Sequence, residues 1–181
     1  VQKKLGQFVL SAPAGEIRRH EIVGVLGENG IGKTSFIKIL AGVHKQDSGV
    51  ISENVTVSYK PQYLETNSDA LVMAFLGEAV ERYKYELIEP LEIEPLLLKQ
   101  VNQLSGGELQ RVAIAYALSR ESHLVLLDEP SAYLDVEQRL QLSKILKSFA
   151  EQRNLSVLVV DHDLLLLDYL SDSLLVFSGE P

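Results

Sequence analysis

Short apolar runs alternate with stretches of helical spacing along most of this chain. That alternation predicts an α/β protein built on a mainly parallel sheet. Ile22–Leu26 is a short apolar run ending at Gly27, and a helical pattern follows from Lys33 to Ala41. Gly42 then stands where a helix C-terminus favours glycine. Val55–Tyr59 alternates apolar and polar residues, which predicts a strand with one face exposed. Leu124–Leu127 and Val157–Val160 are uninterrupted apolar runs, the pattern of strands buried on both faces. Leu142, Ile145, Leu146 and Phe149 share one face of a helix that starts near Asp135, and Asp135 and Gln138 have capping-box spacing. A helical pattern also covers Leu109–Ser119. From about Ser68 to Gln103 the spacing is helical but interrupted by Pro90 and Pro95, which reads as a helical insertion into the α/β core.

Composition narrows the class. The 181 residues suit one domain and are 46% apolar and 23% charged, which excludes disorder and low complexity. No apolar run reaches the roughly 18 residues of a membrane span, and no charged start leads into the apolar stretch of a signal peptide. Without cysteine, the chain has no disulfide, iron–sulfur cluster or Cys-based zinc site of its own. The formal net charge is −8, and the acidity is uneven: residues 1–90 hold 10 basic and 11 acidic groups, whereas residues 91–181 hold 7 and 14. Non-specific binding to nucleic acid needs a basic surface, so this chain alone is a poor candidate for it. Carboxylates assembled around a cation are the alternative use of that acidity.

Two stretches carry such chemistry. Gly27-Glu28-Asn29-Gly30-Ile31-Gly32-Lys33-Thr34 fits the G-x-x-x-x-G-K-[ST] pattern and lies between a predicted strand and a predicted helix, the context this phosphate-binding loop requires. Glycines let successive N–H groups curl around phosphate oxygens, and the helix N-terminus adds positive potential. Asn29, Gly30, Ile31, Gly32 and Ser35 would line the phosphates, Lys33 would reach the β- and γ-phosphates, and the Thr34 hydroxyl would ligate Mg²⁺. Glu28 is acidic and is expected to turn outward, because the backbone makes the cradle. The run Leu124–Leu127 ends in Asp128-Glu129, and in a parallel sheet ligands bind beyond such strand ends. Asp128 would hold magnesium, and Glu129 would orient and polarise the attacking water. Alone, the pair fits a helix cap or a turn equally well; beside a phosphate loop it reads as catalytic.

Leu104-Ser105-Gly106-Gly107-Glu108 precedes the Leu109–Ser119 helical pattern, and a serine with two glycines at a helix N-terminus makes either a second anion site or a simple N-cap. The order of Gly27–Thr34, Gln62, Leu104–Glu108, Leu124–Glu129, Asp135 and His162 resembles the ATP-binding-cassette ATPases over essentially the whole chain. This resemblance implies a P-loop cassette with a mainly parallel core sheet, a small antiparallel portion and a helical subdomain, divided as 1–66 and 120–181 against 67–119. It also implies that Ser105, Gly106, Gly107 and Glu108 cap the γ-phosphate of ATP on a facing cassette. By the family pattern, Gln62 contacts magnesium and water, Ser131–Asp135 communicates across the paired cassettes, and His162 contacts the γ-phosphate. Phe8 fits either an adenine-stacking aromatic or a core residue of an early strand.

Tyr59-Lys60-Pro61-Gln62-Tyr63, the run Leu127–Arg139 with its Pro-Ser-Ala-Tyr, and Val160-Asp161-His162-Asp163 are similar to the second cassette of the ribosome-recycling ATPases, subfamily E of the RNase-L-inhibitor type. That resemblance implies a single cassette of a longer, cytoplasmic twin-cassette protein. Its implied partners are an absent first cassette, for which a second copy is a weak substitute, and ribosomal subunits, with no membrane. The chain departs from the pattern at Glu28 and in having no iron–sulfur domain. An ATPase subunit of a membrane transporter and a nucleotide-gated binding module with little activity of its own are the alternatives.

Overall fold

Strands with no polar face need cover on both sides, and Leu124–Asp128 and Ser156–Val160 obtain it inside a five-stranded sheet. The computed structural model describes residues 1–5, 8–52, 54–62 and 68–179. In chain order the elements are β1 (Gln2–Leu5), β2 (Phe8–Ser11), β3 (Ile22–Leu26), α1 (Lys33–Leu40), β4 (Val57–Lys60), α2 (Val72–Leu76), α3 (Ala79–Arg82), α4 (Gly106–Ser119), β5 (Leu124–Asp128), α5 (Val136–Arg153), β6 (Ser156–Val160), α6 (Leu164–Leu170) and β7 (Ser173–Val176). β1 and β2 form a small antiparallel pair, and the main sheet runs β4-β5-β6-β3-β7 with every pairing parallel. Both the mainly parallel sheet and the small antiparallel portion match the expectation from sequence.

Alternation along the buried strands divides the interior into two cores. Val125, Leu127, Val157 and Val159 pack with Val112 and Ile114 of α4, Leu142 and Leu146 of α5, and Leu167 of α6. Leu124, Leu126, Leu158 and Val160 pack on the other side with Phe36, Ile37 and Ile39 of α1. α6 and β7 close tightly over β3, where a Cβ on Gly24 would stand 2.4 Å from Ser171 Oγ and 2.8 Å from Leu174 Cδ2. α4 and α5 both start with complete capping boxes, Ser105 with Glu108 and Asp135 with Gln138.

β4 corrects the sequence expectation. It was expected to leave its polar face to solvent, yet Ser58 and Lys60 are its buried residues and Val57 and Tyr59 are half-buried. Each inward polar group has an acceptor: Ser58 Oγ donates to the Ala117 carbonyl of α4 at 2.7 Å, and Lys60 Nζ donates to the Asp128 carbonyl at 2.8 Å.

Residues 68–103 are helical but broken, as Pro90 and Pro95 suggest: α2 and α3 are followed by one π-helical turn (Lys84–Ile88) and two 3-10 turns (Glu94–Leu96 and Val101–Gln103). Val72 N donates to the Lys99 carbonyl and Val101 N to the Ala70 carbonyl, each at 3.0 Å, so this segment leaves and returns at one place. The subdomain boundary expected at 66/67, Tyr63 of the quoted motif, and Glu180 and Pro181 lie outside the described residues. The close approach at β3 gives a test. Gly24→Val should destabilise the fold by about 1–3 kcal/mol, read as a lower urea midpoint at unchanged slope. An unmoved midpoint would contradict the packing of α6 and β7 on β3.

Candidate functional site

Because all five strands run the same way, their carboxyl ends share one edge, and the neighbouring strands β4, β5, β6 and β3 each deliver functional residues there. β3 leads into the glycine loop. Gly32, with φ +97°, is the residue before α1 in a backbone conformation that side chains disfavour, and the Phe8 ring lies 3.0 Å from where its Cβ would be. Phe8 therefore packs on the phosphate loop and also joins the α1-side core, which keeps both of its expected roles open. α1 begins with no side-chain cap and no acidic residue in its first turn, so its first N–H groups and its dipole are left for an anion.

Lys33 is 6% exposed, and its Nζ donates to the carbonyls of Gly27 at 2.7 Å and Glu28 at 2.8 Å. Burial pulls its pKa below the usual lysine value, against the opposing pull of Glu129 and Asp128. The Glu28 side chain is exposed, as expected, and only its carbonyl serves the loop.

Asp128 closes β5 with no exposure to solvent. Thr34 Oγ1 donates to its Oδ1 at a long 3.4 Å, and its Oδ2 is buried without a partner among the described residues. Burial raises the Asp128 pKa, the nearby Glu129 charge adds to the rise, and Thr34, Lys60 and Lys38 oppose it. A buried carboxylate oxygen without a donor is costly, and a hard cation satisfies it, so Asp128 with Thr34 fits Mg²⁺. No group of three or more acidic, His or Cys side chains suited to a metal occurs among the described residues. An ion here would take most of its remaining ligands from phosphate oxygens and water.

Glu129 follows in the left-handed region at φ +49°, which costs a non-glycine residue about 1–2 kcal/mol. Its backbone is held on both sides: its N–H donates to the Val160 carbonyl at 2.7 Å, and its carbonyl accepts from Gln110 Nε2 of α4 at 2.7 Å. The turn brings Glu129 Oε1 to 2.9 Å from His162 Nε2, a hydrogen bond in which the carboxylate accepts. The buried Asp161 fixes the two loops behind this pair. Its Oδ1 accepts from Ser131 Oγ at 2.7 Å and His162 N at 2.8 Å, and its Oδ2 accepts from Ser131 N at 2.9 Å.

The site residues expected from sequence thus fall into two groups. Lys33, Thr34, Asp128, Glu129 and His162 are linked through hydrogen bonds and mutual charge effects at one strand edge. Gln62, half-buried, follows β4 at that edge. Ser105, Gly106, Gly107, Glu108 and Asp135 form the second group. A Cβ on Gly106 would meet the Tyr133 ring at 3.2 Å and one on Gly107 the Tyr133 carbonyl at 3.0 Å, so the start of α4 lies against the loop that leads to Asp135. Ser105 Oγ accepts from Glu108 N at 3.4 Å, the Glu108 carboxylate accepts from Ser105 N at 2.8 Å, and Lys99 Nζ donates to it at 2.7 Å. The Lys99 hydrogen bond, ahead of the Ser105 contact, lowers the Glu108 pKa.

Pattern reasoning assigned no role to Lys60, Gln110 or Asp161. Lys60 is 1% exposed, its pKa is pulled down to about 8 by burial, and nearby Asp128, Asp161 and Glu129 oppose that shift. Beside it on β4, burial and the Asp128 charge push the Tyr59 phenol up to about 12. A lysine in phase with the inward Ser58 was the available signal for Lys60.

A phosphate loop, a buried strand-end carboxylate and a helix-starting Ser-Gly-Gly on one parallel sheet define a nucleotide-binding cassette, and comparison with known proteins agrees. The family model described as ABC transporter matches residues 10–132. The chain belongs to this family, the ABC ATPases. Within it, the chain is similar to E-family proteins: it is 40% identical over 159 residues to ABC transporter E family member 3 of Arabidopsis thaliana, covering 81% of this chain and 88% of that protein. An uncharacterized ABC transporter ATP-binding protein of Methanocaldococcus jannaschii is 52% identical over 187 residues, covering 100% of this chain and 31% of that protein. A solved RNase-L inhibitor aligns with 99% of the chain and 36% of its own length at 48% identity and a TM-score of 0.95. An archaeal ribosome recycling factor, solved with an archaeal ribosomal stalk protein, aligns over the same shares at 48% identity and 0.94. The chain thus spans about a third of the archaeal relative and of both solved proteins. No described helix is long and apolar enough to cross a membrane.

Lys33 is the one cation of the phosphate loop, which gives a direct test. A charge-assisted hydrogen bond is worth about 1.5–3 kcal/mol, so Lys33→Ala should weaken ATP binding by roughly tenfold or more in titration calorimetry. Unchanged affinity would contradict the assignment of the loop.

Proposed function

We propose that this cassette binds Mg–ATP in the Gly27–Thr34 loop and hydrolyses it with Glu129 as the group that activates water. The observation that carries this reading is the Glu129–His162 pair, 2.9 Å apart, at the strand edge that also holds Thr34 and Asp128. Phosphate oxygens take the place of the Gly27 and Glu28 carbonyls at Lys33, whose charge is already desolvated and therefore strong. Thr34, Asp128 and Gln62 would hold Mg²⁺, which when bound neutralises phosphate charge. Glu129 accepts a proton from water as its oxygen bonds to the γ-phosphorus and the bond to ADP breaks. His162 keeps the Glu129 carboxylate aimed and stands ready for the γ-phosphate.

The second group acts in trans. Ser105–Glu108 caps the γ-phosphate of a facing cassette, and Asp135 with its loop senses that partner, so ATP closes two cassettes and hydrolysis reopens them. The division into an α/β core (1–66 and 120–181) and a helical part (67–119) belongs to the same proposal. The partner is the other cassette of a longer cytoplasmic protein or, weakly, a second copy. The work is the splitting of ribosomes into subunits, a reading supported by similarity to the ribosome recycling factor.

The two adjacent carboxylates should fail differently. Glu129→Gln should bind Mg–ATP normally, slow single-turnover hydrolysis by about 10²-fold or more, and accumulate the closed form once a partner cassette is supplied. Asp128→Asn should weaken the magnesium-dependent part of ATP binding and trap little closed form. Parent-rate hydrolysis by Glu129→Gln, with normal Mg–ATP binding by Asp128→Asn, would show the roles to be wrongly assigned. The ribosomal part is read separately, by ATP-dependent co-sedimentation of the full-length protein with ribosomal subunits; its absence removes that part alone.

A further inference from the structure

Lys60 is the last residue of β4 and one of the largest fully buried side chains of the molecule, at 1% exposure. A buried ammonium needs acceptors, and burying one without them is prohibitive. Among the described residues those acceptors are main-chain carbonyls: Asp128 at 2.8 Å and Glu129 at 3.4 Å. The ammonium thus spans the peptide unit that joins the two strand-end carboxylates, from the strand next to β5.

That peptide unit needs such a hold. Glu129 sits at φ +49°, a conformation that persists only where its surroundings over-determine it. Its N–H is tied to Val160 of β6 and its carbonyl to Gln110 of α4, both at 2.7 Å. Lys60 adds the third strut and the one that carries charge. Among the described residues it bonds to neither carboxylate group, so beside its charge effect on Asp128 its hold on the turn runs through the backbone.

We propose that Lys60 is a positioning residue for hydrolysis: its ammonium clamps the Asp128 and Glu129 carbonyls and so holds the turn that sends one carboxylate towards Thr34 and the other towards His162. The inference rests on the reading of Glu129 as the water-activating group. Small displacements of a reacting group are costly in rate, with about 1 Å worth as much as 10²-fold.

The test compares Lys60→Met, Glu129→Gln and the double variant in the full chain, with nucleotide affinity and single-turnover hydrolysis measured for each. Lys60→Met keeps the apolar stem and removes the donor. It should bind ATP within about threefold of the parent and hydrolyse at least about tenfold more slowly. The double variant should lose clearly less than the product of the two single losses, because much of the Lys60 effect runs through Glu129. Lys60→Arg, which restores a charged donor, should recover much of the rate. If Lys60→Met does not fold, Lys60→Leu, which also lacks a donor, replaces it with the same expectations. Hydrolysis by Lys60→Met at the parent rate while Glu129→Gln is impaired overturns this inference alone. Losses that multiply in the double variant also overturn it, since they mark a general loosening of the core. Parent-rate hydrolysis by Glu129→Gln instead brings down the reading of Glu129, and this inference with it.

Discussion

The constraint on which the site depends is the way β5 ends. An apolar strand covered on both faces carries Asp128 into the interior with one oxygen unpaired among the described residues, and the chain then reverses through a left-handed Glu129. A charge placed there is unfavourable until a cation joins it, and burial accordingly raises the Asp128 pKa. The same edge holds the buried cation of Lys33, resting on two loop carbonyls, and the open N-terminus of α1. Acceptors and donors at this edge are thus desolvated and held by the fold, with Lys33 the group that must exchange its two carbonyls for phosphate. A polar site fixed in this way acts more strongly than water does.

The fold serves that edge. Parallel pairing sets Asp128 level with Val160 and Lys60 level with Leu127, so the loops after β5 and β6 meet and share the Asp161 carboxylate. Gln110 ties α4 to the Glu129 carbonyl, and the glycines at the start of α4 lie against Tyr133. The Ser105–Glu108 turn is thereby joined to the Glu129 turn through the body of one chain.

Much of this was legible in the sequence. The glycine loop, the strand-end carboxylates and the Asp135–Gln138 capping box announce themselves because each demands particular residue types at fixed spacing. β5 and β6 were legible because a run without polar residues has only one environment. β4 was misread because period-2 alternation does not say which face is outward. Polar Ser58 and Lys60 point in, and only their tertiary acceptors, on Ala117 and Asp128, make that arrangement stable. The left-handed turn at Glu129 was invisible for a related reason: no local glycine or asparagine marks it, and distant partners impose it. His162 was legible as part of an ordered series of motifs, whereas its bond to Glu129 required the folded sheet.

The most direct measurement is the position of Mn²⁺, a visible substitute for Mg²⁺, in crystals of this chain grown with ADP and located by anomalous scattering. The account predicts the ion against Thr34 Oγ1 and on the Oδ2 side of Asp128, with Lys33 Nζ moved from the Gly27 and Glu28 carbonyls to a phosphate. An ion bound away from Asp128, with Lys33 still on both carbonyls beside a bound nucleotide, would contradict it.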